Sequence, residues 1–253
     1  MGKKIAIAVP KGGVGKTTTA VNLAAAFAIA EKKTLLIDFD PSGACSVSLG
    51  FETKILKGDI FQVISFIKHI DSVIHTTDIQ TLDFIPCSIN SAEIEERINR
   101  LTRNIYLFEN IINQYALEKY DYIIIDCPPY LKGLTTVALA AVDSVVLPVR
   151  AGQFSISALK KMYSHILWVK ENLNKRLLVE GILLTMFEAN TKAWGLTKSA
   201  ILQNFPEDLL ETVIPKSITI TEAEFYGMPT MLFDVKSSGS VAYLNLANEL
   251  MNK

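Results

Sequence analysis

The sequence is poor in cysteine and has neither a long apolar run nor an excess of one charge. Its three cysteines, Cys45, Cys87 and Cys127, form no CxxC pair. This excludes a disulfide scaffold and leaves no grouped thiols for a metal or cluster site, so reduced, buried thiols are expected. No stretch reaches the roughly 20 apolar residues of a membrane helix, and no charged-then-apolar leader is visible. We therefore expect a soluble, cytoplasmic protein.

Charge is balanced along the whole chain. The formal net charge is −1, with 25 basic and 26 acidic residues among 253. Neither half is globally basic, so any binding to nucleic acid requires a local patch. The hydrophobic content of 49% suits one large α/β domain over residues 1–253. No N-terminal helix-turn-helix extension is expected.

Short apolar runs alternate with helix-length segments. The runs predicted as strands are Lys4–Val9, Thr34–Asp38, Leu82–Pro86, Tyr120–Asp126, Ser144–Val149, Leu178–Thr185 and Glu211–Ile214. The segments predicted as helices are Thr17–Ala30, Ile60–Lys68, Ser91–Gln114, Ser155–Glu171 with Ser155 as its cap, Trp194–Asn204 and Ser240–Asn252. The alternation indicates an α/β fold with a mostly parallel sheet and helices on both faces. The apolar strand Tyr120–Asp126 is expected at its centre.

Residues 10–18, PKGGVGKTT, join the first strand to the first helix, which is the context of a P-loop. The glycines permit backbone torsions that turn consecutive N–H groups inward as an anion nest at a helix N-terminus. Lys16 can then reach the β- and γ-phosphates, and the Thr17 hydroxyl is placed to ligate Mg²⁺. The loop therefore predicts binding of ATP with Mg²⁺.

Aspartates follow two of the predicted strands. Asp126 ends the most apolar strand, and Asp38 and Asp40 flank Phe39 after the second strand. In a parallel sheet these carboxylates emerge at the carboxyl edge beside the phosphate loop. Asp126 is the better candidate for holding Mg²⁺, directly or through water. For Asp38 and Asp40, turn chemistry before Pro41 is the alternative interpretation.

The loop KGGVGKTT resembles the deviant Walker A motif of the ParA/MinD superfamily, because a second lysine, Lys11, precedes its glycines and Pro10 stands where the general motif has glycine. The resemblance implies that Lys11 reaches across a nucleotide-sandwich dimer to the phosphates of the other subunit. It also implies that Asp40, in IDFDP, orients the attacking water while Asp38 supports the metal. Ser42 stands where the family usually has glutamine.

The resemblance covers nearly the whole chain, and the C-terminal third resembles the Soj branch. It implies an ATP-dependent homodimer that binds DNA non-specifically, associates with the nucleoid and moves chromosomal or plasmid DNA when a ParB-type partner stimulates its weak hydrolysis. The implied catalytic residues are Lys11, Lys16 and Asp40, and Thr17, Asp38 and Asp126 are implied for Mg²⁺. The ATP contacts are Lys11, Gly12, Gly13, Val14, Gly15, Lys16, Thr17, Thr18, Pro215 and Ser217. The candidate DNA contacts are Lys192, Lys198, Lys216 and Lys236.

Three other functions share this loop. A MinD-like membrane regulator needs a basic amphipathic C-terminal helix. The ending VAYLNLANELMNK has one terminal lysine and predicts a helix docked on the core, so no stable membrane binding is expected. A reductase of the nitrogenase iron-protein type needs cysteines that bridge a cluster between subunits. A positioning ATPase for non-DNA cargo differs only in its adaptor, and the residues do not distinguish it.

Overall fold

The computed structural model describes residues 2–52, 56–87, 102–115, 118–189 and 191–253, and within these ranges the strands form one sheet. The strands are β1 (Lys3–Ile7), β2 (Thr34–Asp38), β3 (His75–Thr76), β4 (Leu82–Ile85), β5 (Tyr122–Asp126), β6 (Ser144–Val149), β7 (Leu178–Phe187) and β8 (Leu209–Pro215). Their order across the sheet is β3-β4-β2-β5-β1-β6-β7-β8. All neighbours are parallel except β3, which runs antiparallel to β4. The apolar β5 lies between β2 and β1, as predicted.

Helices occupy most of the connections between strands. They are α1 (Lys16–Ile29), α2 (Ala44–Ser48), α3 (Ile60–Ile64), α4 (Tyr106–Tyr115), α5 (Leu134–Ala141), α6 (Gln153–Asn172), α7 (Lys192–Asn204), α8 (Ile218–Phe225), α9 (Thr230–Phe233) and α10 (Ser238–Met251). One face of the sheet packs against α1 and α10, and the other against α4, α5 and α6. The predicted α/β class, a mostly parallel sheet covered on both faces, is confirmed.

Helix α1 follows the phosphate loop and is buried on nearly every side. Its run of alanines lets neighbouring elements approach closely, which is why it shows little amphipathic pattern. Near its end Phe27 stacks on Tyr122 of β5, with ring centroids 3.9 Å apart. The helix is thereby fixed to the central strand, and its N-terminus lies at the carboxyl edge of the sheet.

The C-terminal helix α10 docks on α1 and β8. Tyr243 and Leu246 are buried, and the Glu249 carboxylate accepts hydrogen bonds from the backbone N–H groups of Glu211 and Thr212, both at 2.9 Å. Lys253 Nζ donates to the carbonyl of Glu180 at 2.9 Å. Among the described residues, no helix combines the length and the apolar character needed to cross a bilayer.

Three sequence predictions need correction, whereas the ends of the other predicted elements lie within two residues of those in the structure. The helix predicted over Ile60–Lys68 ends at Ile64, because Phe66 adopts a left-handed φ of 57°. Residues 91–101 of the predicted Ser91–Gln114 helix lie outside the described ranges, and residues 102–105 form a turn, so the helix here begins at Tyr106. Ser155 is not a cap, since α6 begins at Gln153 after Gly152.

Several elements were not predicted: α2, α5, α8, α9 and β3. None of the five exceeds eight residues, and elements of this length show too little periodicity to be recognised. Helix α5 is buried along its whole length and therefore lacks an amphipathic pattern. Two of the missed helices, α2 and α8, carry side chains of the site described below.

Candidate functional site

The phosphate loop lies at the carboxyl edge of the sheet between β1 and α1. Gly13 and Gly15 have φ values of 64° and 79°, which favour glycine over any residue with a Cβ. Thr185 Oγ1 donates to the carbonyl of Val14 at 2.8 Å, and Arg150 Nη1 contacts the carbonyl of Gly13 at 3.5 Å. Within the described ranges, the backbone N–H groups of residues 12–18 donate to no backbone carbonyl. The loop thus presents unpaired donors, as an anion nest requires.

Lys16 opens α1 and is only 7% exposed. Its Nζ donates to the carbonyl oxygen of Lys11 at 3.1 Å, so the ammonium group lies over the loop that leads into its own helix. Burial lowers the pKa of Lys16, and the negative charges of Asp126 and Asp40 oppose this effect. The cation is thus held between the loop and the acidic strand ends.

Asp126 and Thr17 meet where β5 ends. Thr17 Oγ1 donates to Asp126 Oδ2 at 2.7 Å. The other oxygen of this fully buried carboxylate, Oδ1, has no hydrogen-bond partner in the described part of the chain. Such an oxygen is costly unless a ligand satisfies it. The fold therefore brings together Thr17 and Asp126, which were both predicted to hold Mg²⁺. It leaves Asp126 Oδ1 without a hydrogen-bond donor in the described part of the chain.

Asp38 lies beside Asp126, because the two residues are register partners on β2 and β5. Asp38 Oδ1 accepts from the backbone N–H of Asp40 at 3.0 Å, and Oδ2 accepts from that of Cys45 at 3.1 Å. Asp40 Oδ1 in turn accepts from the backbone N–H of Ser42 at 3.0 Å. Turn chemistry, the alternative interpretation of these aspartates, is therefore present alongside their position next to the phosphate loop.

Burial and a neighbouring carboxylate raise the pKa of both buried aspartates. Burial raises the pKa of Asp126 to about 7, and the charge of Asp40 acts in the same direction. Burial, followed by the charge of Asp126, raises the pKa of Asp38 well above its ordinary range. A divalent cation relieves such repulsion, and carboxylate, hydroxyl and water oxygens are the donors Mg²⁺ prefers. The residues present fit Mg²⁺.

Lys11 makes its side-chain contact within its own subunit. Its Nζ donates to Ser155 Oγ, in the first turn of α6, at 2.9 Å. Burial lowers the pKa of Lys11, and the positive charge of Arg150 adds to the effect. Phe154, next to Ser155, is 83% exposed. The family resemblance implied a reach into a second subunit, and this contact within one chain leaves that role a prediction.

The predicted adenine-side residues follow β8. Pro215 pairs with Phe187 at the ends of β8 and β7, and Ser217 is the N-cap of α8. From α8, the Glu224 carboxylate accepts from the hydroxyl of Thr18 at 2.5 Å. The structure thereby connects the phosphate loop to this segment, and the nucleotide contacts assigned to Pro215, Ser217 and Thr18 remain predictions.

The four candidate DNA lysines differ in their surroundings. Lys216 Nζ lies 2.6 Å from Glu188 Oε1 in an exposed ion pair. Lys192 begins α7, Lys198 lies on the same helix, and Lys236 precedes α10. Within the described ranges these three lysines form no ion pair. Three of the four charges are free to meet phosphates, and their role in DNA binding remains a prediction.

Several residues of the site were missed from the sequence. They are Cys45, Arg150, Ser155, Thr185 and Glu224. Arg150 and Thr185 could have been found, because both lie at the carboxyl ends of predicted strands, where ligands bind in open α/β sheets. Cys45 and Glu224 lie on short helices that no pattern predicted, and Ser155 was mistaken for a cap.

The comparisons with known proteins agree with this geometry. A family model described as an AAA domain matches residues 2–179. The chain is 38% identical to the chromosome partitioning protein ParA of Myxococcus xanthus (strain DK1622), covering 100% of this chain and 89% of that protein. It is 38% identical to the sporulation initiation inhibitor protein Soj of Bacillus subtilis (strain 168), covering 99% and 98%.

A solved structure extends the similarity to the fold. Cobyrinic acid a,c-diamide synthase from Mycobacterium smegmatis, with bound ATP analog and magnesium, has a TM-score of 0.85 and 25% identity, covering 100% of this chain and 95% of that one. The chain thus matches ParA and Soj over nearly its whole length, and the solved structure shares its fold. The chain belongs to the ParA/Soj family within the ParA/MinD superfamily of P-loop NTPases.

Proposed function

We propose that this chain is a partition ATPase, which binds ATP with Mg²⁺ at residues 10–18, hydrolyses it slowly and uses it to join two subunits. One observation carries the proposal: Lys16, Thr17, Asp38 and Asp126 converge at the end of the phosphate loop. There an ammonium group, a hydroxyl and two carboxylates adjoin a nest of unpaired N–H groups. That set can hold a triphosphate and a divalent cation together.

The roles of the chain's own groups follow from their positions. The loop N–H groups and Lys16 bind phosphate oxygens, and Lys16 exchanges its contact with the Lys11 carbonyl for one with the nucleotide. Thr17 and Asp126 would hold Mg²⁺, with Asp38 supporting its hydration. A cation bound there would supply positive charge to the phosphate oxygens. The apolar core below keeps these groups fixed.

Asp40 is the residue that positions the attacking water. It follows β2, is partly exposed, and has one oxygen engaged by the Ser42 backbone N–H. Its carboxylate can hold a water molecule and accept its proton as that water attacks the γ-phosphorus. The turn over residues 38–43 therefore both shapes the metal site and carries the group that acts on water.

Lys11 makes the activity depend on a second subunit. Its bond to Ser155 has to break before the ammonium group can reach a partner's phosphates. A second cation there stabilises charge that spreads over the γ-oxygens in the transition state. The exposed Phe154 beside it offers apolar area for the second subunit to bury. Dimerisation therefore replaces an internal contact with a catalytic one.

DNA binding requires the candidate lysines of two subunits, which are called the lysine patch below. The candidate lysines of one subunit are too few for firm binding to a phosphate backbone. They are Lys192, Lys198, Lys236 and the paired Lys216. The dimer carries two sets, so DNA binding depends on ATP, and a ParB-type partner that stimulates hydrolysis releases the DNA. The names of the relatives, chromosome partitioning proteins, support chromosomal or plasmid DNA as the cargo.

Size-exclusion chromatography of Asp40→Ala with ATP or ADP, followed by DNA binding on the dimer peak, tests the proposal. We expect an ATP-bound dimer that turns over slowly and binds DNA. Asp40→Asn is the matched control for the turn, because its amide oxygen can still accept from the Ser42 N–H. A monomeric Asp40→Ala protein in saturating ATP contradicts the dimer model, and equal DNA binding with ADP contradicts the nucleotide dependence.

A pelleting assay with anionic liposomes tests the membrane alternative. Helix α10 has its apolar side against α1 and β8, and Lys253 bonds to the Glu180 carbonyl, so little of this helix is available to a lipid surface. We expect no sedimentation with ATP or ADP. ATP-dependent sedimentation of the full chain would instead favour the MinD-like function.

A further inference from the structure

Cys45, Asp38 and Asp126 form a compact group of metal-ligand side chains. Each offers one ligand atom, and these atoms all lie within 4.8 Å of one another. All three residues are fully buried. From the sequence the cysteines were expected to lie outside any ligand set, because no two of them are close. The fold instead places one thiol among carboxylates from two different strands.

One pair of donors has the spacing found in a tetrahedral site. The Cys45 thiol donates a hydrogen bond to Asp126 Oδ2, with Sγ 3.4 Å from that oxygen. In a tetrahedral zinc site, bonds of about 2.3 Å to sulfur and about 2.1 Å to oxygen separate the two donors by about 3.6 Å. The second carboxylate oxygen, Asp126 Oδ1, is buried without a hydrogen-bond partner in the described part of the chain. An unpaired acceptor beside a thiol is what a cation would satisfy.

The backbone holds the thiol in place. The N–H of Cys45 donates to Asp38 Oδ2 at 3.1 Å, so the residue that carries the sulfur is tied to another member of the group. Gly43, before α2, adopts a left-handed φ of 66°, which directs the chain back toward Asp38. The turn between β2 and α2 therefore fixes the position of the Cys45 thiol relative to the two carboxylates.

We propose that Asp38, Cys45 and Asp126 bind a thiophilic divalent cation, of the Zn²⁺ or Cd²⁺ class, in the nucleotide-free subunit. Mg²⁺ takes oxygen donors and gains nothing from the sulfur, whereas thiolate selects soft and borderline cations. Binding forms a metal–sulfur bond and releases the thiol proton to solvent, with no change of oxidation state. Water completes the coordination.

Occupation of this site has a consequence for the phosphate loop. It engages Asp126, which also accepts from Thr17, and it links α2 to the central strand β5. The soft cation and Mg²⁺ therefore compete for the same carboxylate. A thiophilic metal holds the turn over residues 38–43 in the arrangement seen here.

Cd²⁺ is the probe, because it forms an ultraviolet charge-transfer band with thiolate. The full chain, without nucleotide, is titrated with Cd²⁺ while binding is measured by calorimetry and the band by absorbance. Cys45→Ser should weaken Cd²⁺ binding by at least about 10-fold, the lower bound for losing even an outer-shell partner, and should abolish the band. The double variant Cys87→Ala/Cys127→Ala removes the other two buried thiols and should keep both.

The opposite pattern overturns the proposal: a band and affinity retained in Cys45→Ser but lost in the double variant. X-ray absorption of the wild-type protein loaded with one equivalent of Cd²⁺ gives a test that does not depend on a variant's folding. One sulfur among oxygen ligands is expected, and a shell of oxygen alone contradicts the assignment. Neither measurement uses ATP, so a failure here is separate from a failure of the ATPase proposal.

Discussion

Lys11 Nζ lies 2.9 Å from Ser155 Oγ, so the lysine that the family resemblance assigns to the partner's nucleotide is held by its own subunit. The contact joins the start of the phosphate loop to the first turn of α6. It satisfies a cation that burial and Arg150 both disfavour. This contact competes with any arrangement in which Lys11 points outward.

Replacing Ser155 with alanine should therefore strengthen ATP-dependent dimerisation. A hydrogen bond of this kind contributes about 1 kcal/mol, and its loss favours the competing state by roughly 5-fold. Analytical ultracentrifugation in saturating ATP gives the dimer dissociation constant. Lys11→Ala is the opposing variant and should lose the dimer while keeping nucleotide affinity. Weaker dimerisation of Ser155→Ala would mean that Ser155 supports the dimer and does not compete with it.

Removing the Lys16 ammonium group should abolish productive ATP binding. Loss of one partner of a buried charge pair costs about 3 kcal/mol, which corresponds to about 100-fold in affinity. Titration with a fluorescent ATP analogue measures the effect in Lys16→Ala. Lys175→Ala is the matched control, because Lys175 is exposed between α6 and β7, at the amino edge of the sheet. An affinity in Lys16→Ala within a few-fold of the control contradicts the assignment.

The buried carboxylate Asp126 should make the metal-free protein less stable as the pH rises. Its pKa is raised from an ordinary 3.8 to about 7, so between these values the folded state binds more protons than the unfolded state. The free energy of unfolding therefore falls across this window, by up to about 1.4 kcal/mol per pH unit. Asp38 contributes with the same sign.

Urea denaturation in EDTA between about pH 5 and about pH 7.5 measures this slope. Asp126→Asn should flatten it relative to the wild type. Asp71→Asn serves as the control, because Lys119 holds the pKa of exposed Asp71 below its ordinary value, so that residue titrates below the window. Identical slopes in the wild type and Asp126→Asn would show that Asp126 is ionised throughout.

The lysine patch should be visible in the salt dependence of DNA binding. Each lysine that neutralises a phosphate contributes about 0.9 to the slope of log affinity against log salt concentration. Lys192→Ala, Lys198→Ala and Lys236→Ala should each lower the slope of the ATP-bound dimer, whereas Lys175→Ala should not. Slopes unchanged in all three variants would place the DNA surface elsewhere.

The ion pair between Lys216 and Glu188 allows a test in the opposite direction. Exposed pairs contribute little to stability, so Glu188→Gln should leave the thermal stability almost unchanged. It should raise DNA affinity, because Lys216 is released and a negative charge is removed from the patch. Fluorescence anisotropy with a labelled duplex at several salt concentrations measures this. An unchanged affinity would exclude Lys216 from the DNA surface.

The sequence by itself determined the sheet class, the central position of β5 and the phosphate loop. Local patterns determine these features. The patterns are the runs of apolar residues, the spacing of the glycines, and the positions of Lys16 and Thr17 directly after Gly15. The position of Asp126 beside the phosphate loop could also be predicted, because the carboxyl ends of parallel strands meet at one edge of the sheet. The family resemblance added Lys11 and the roles of Asp38 and Asp40.

Only the tertiary structure decided where the remaining polar groups point. The contact of Lys11 with Ser155 joins residues 144 positions apart, and that of Thr18 with Glu224 joins residues 206 apart. Cys45 approaches Asp126 through a five-residue helix too short to show a period. Local patterns encode which element a residue belongs to. The neighbours across the fold depend on how all the buried faces pack, and no short stretch of sequence contains that information.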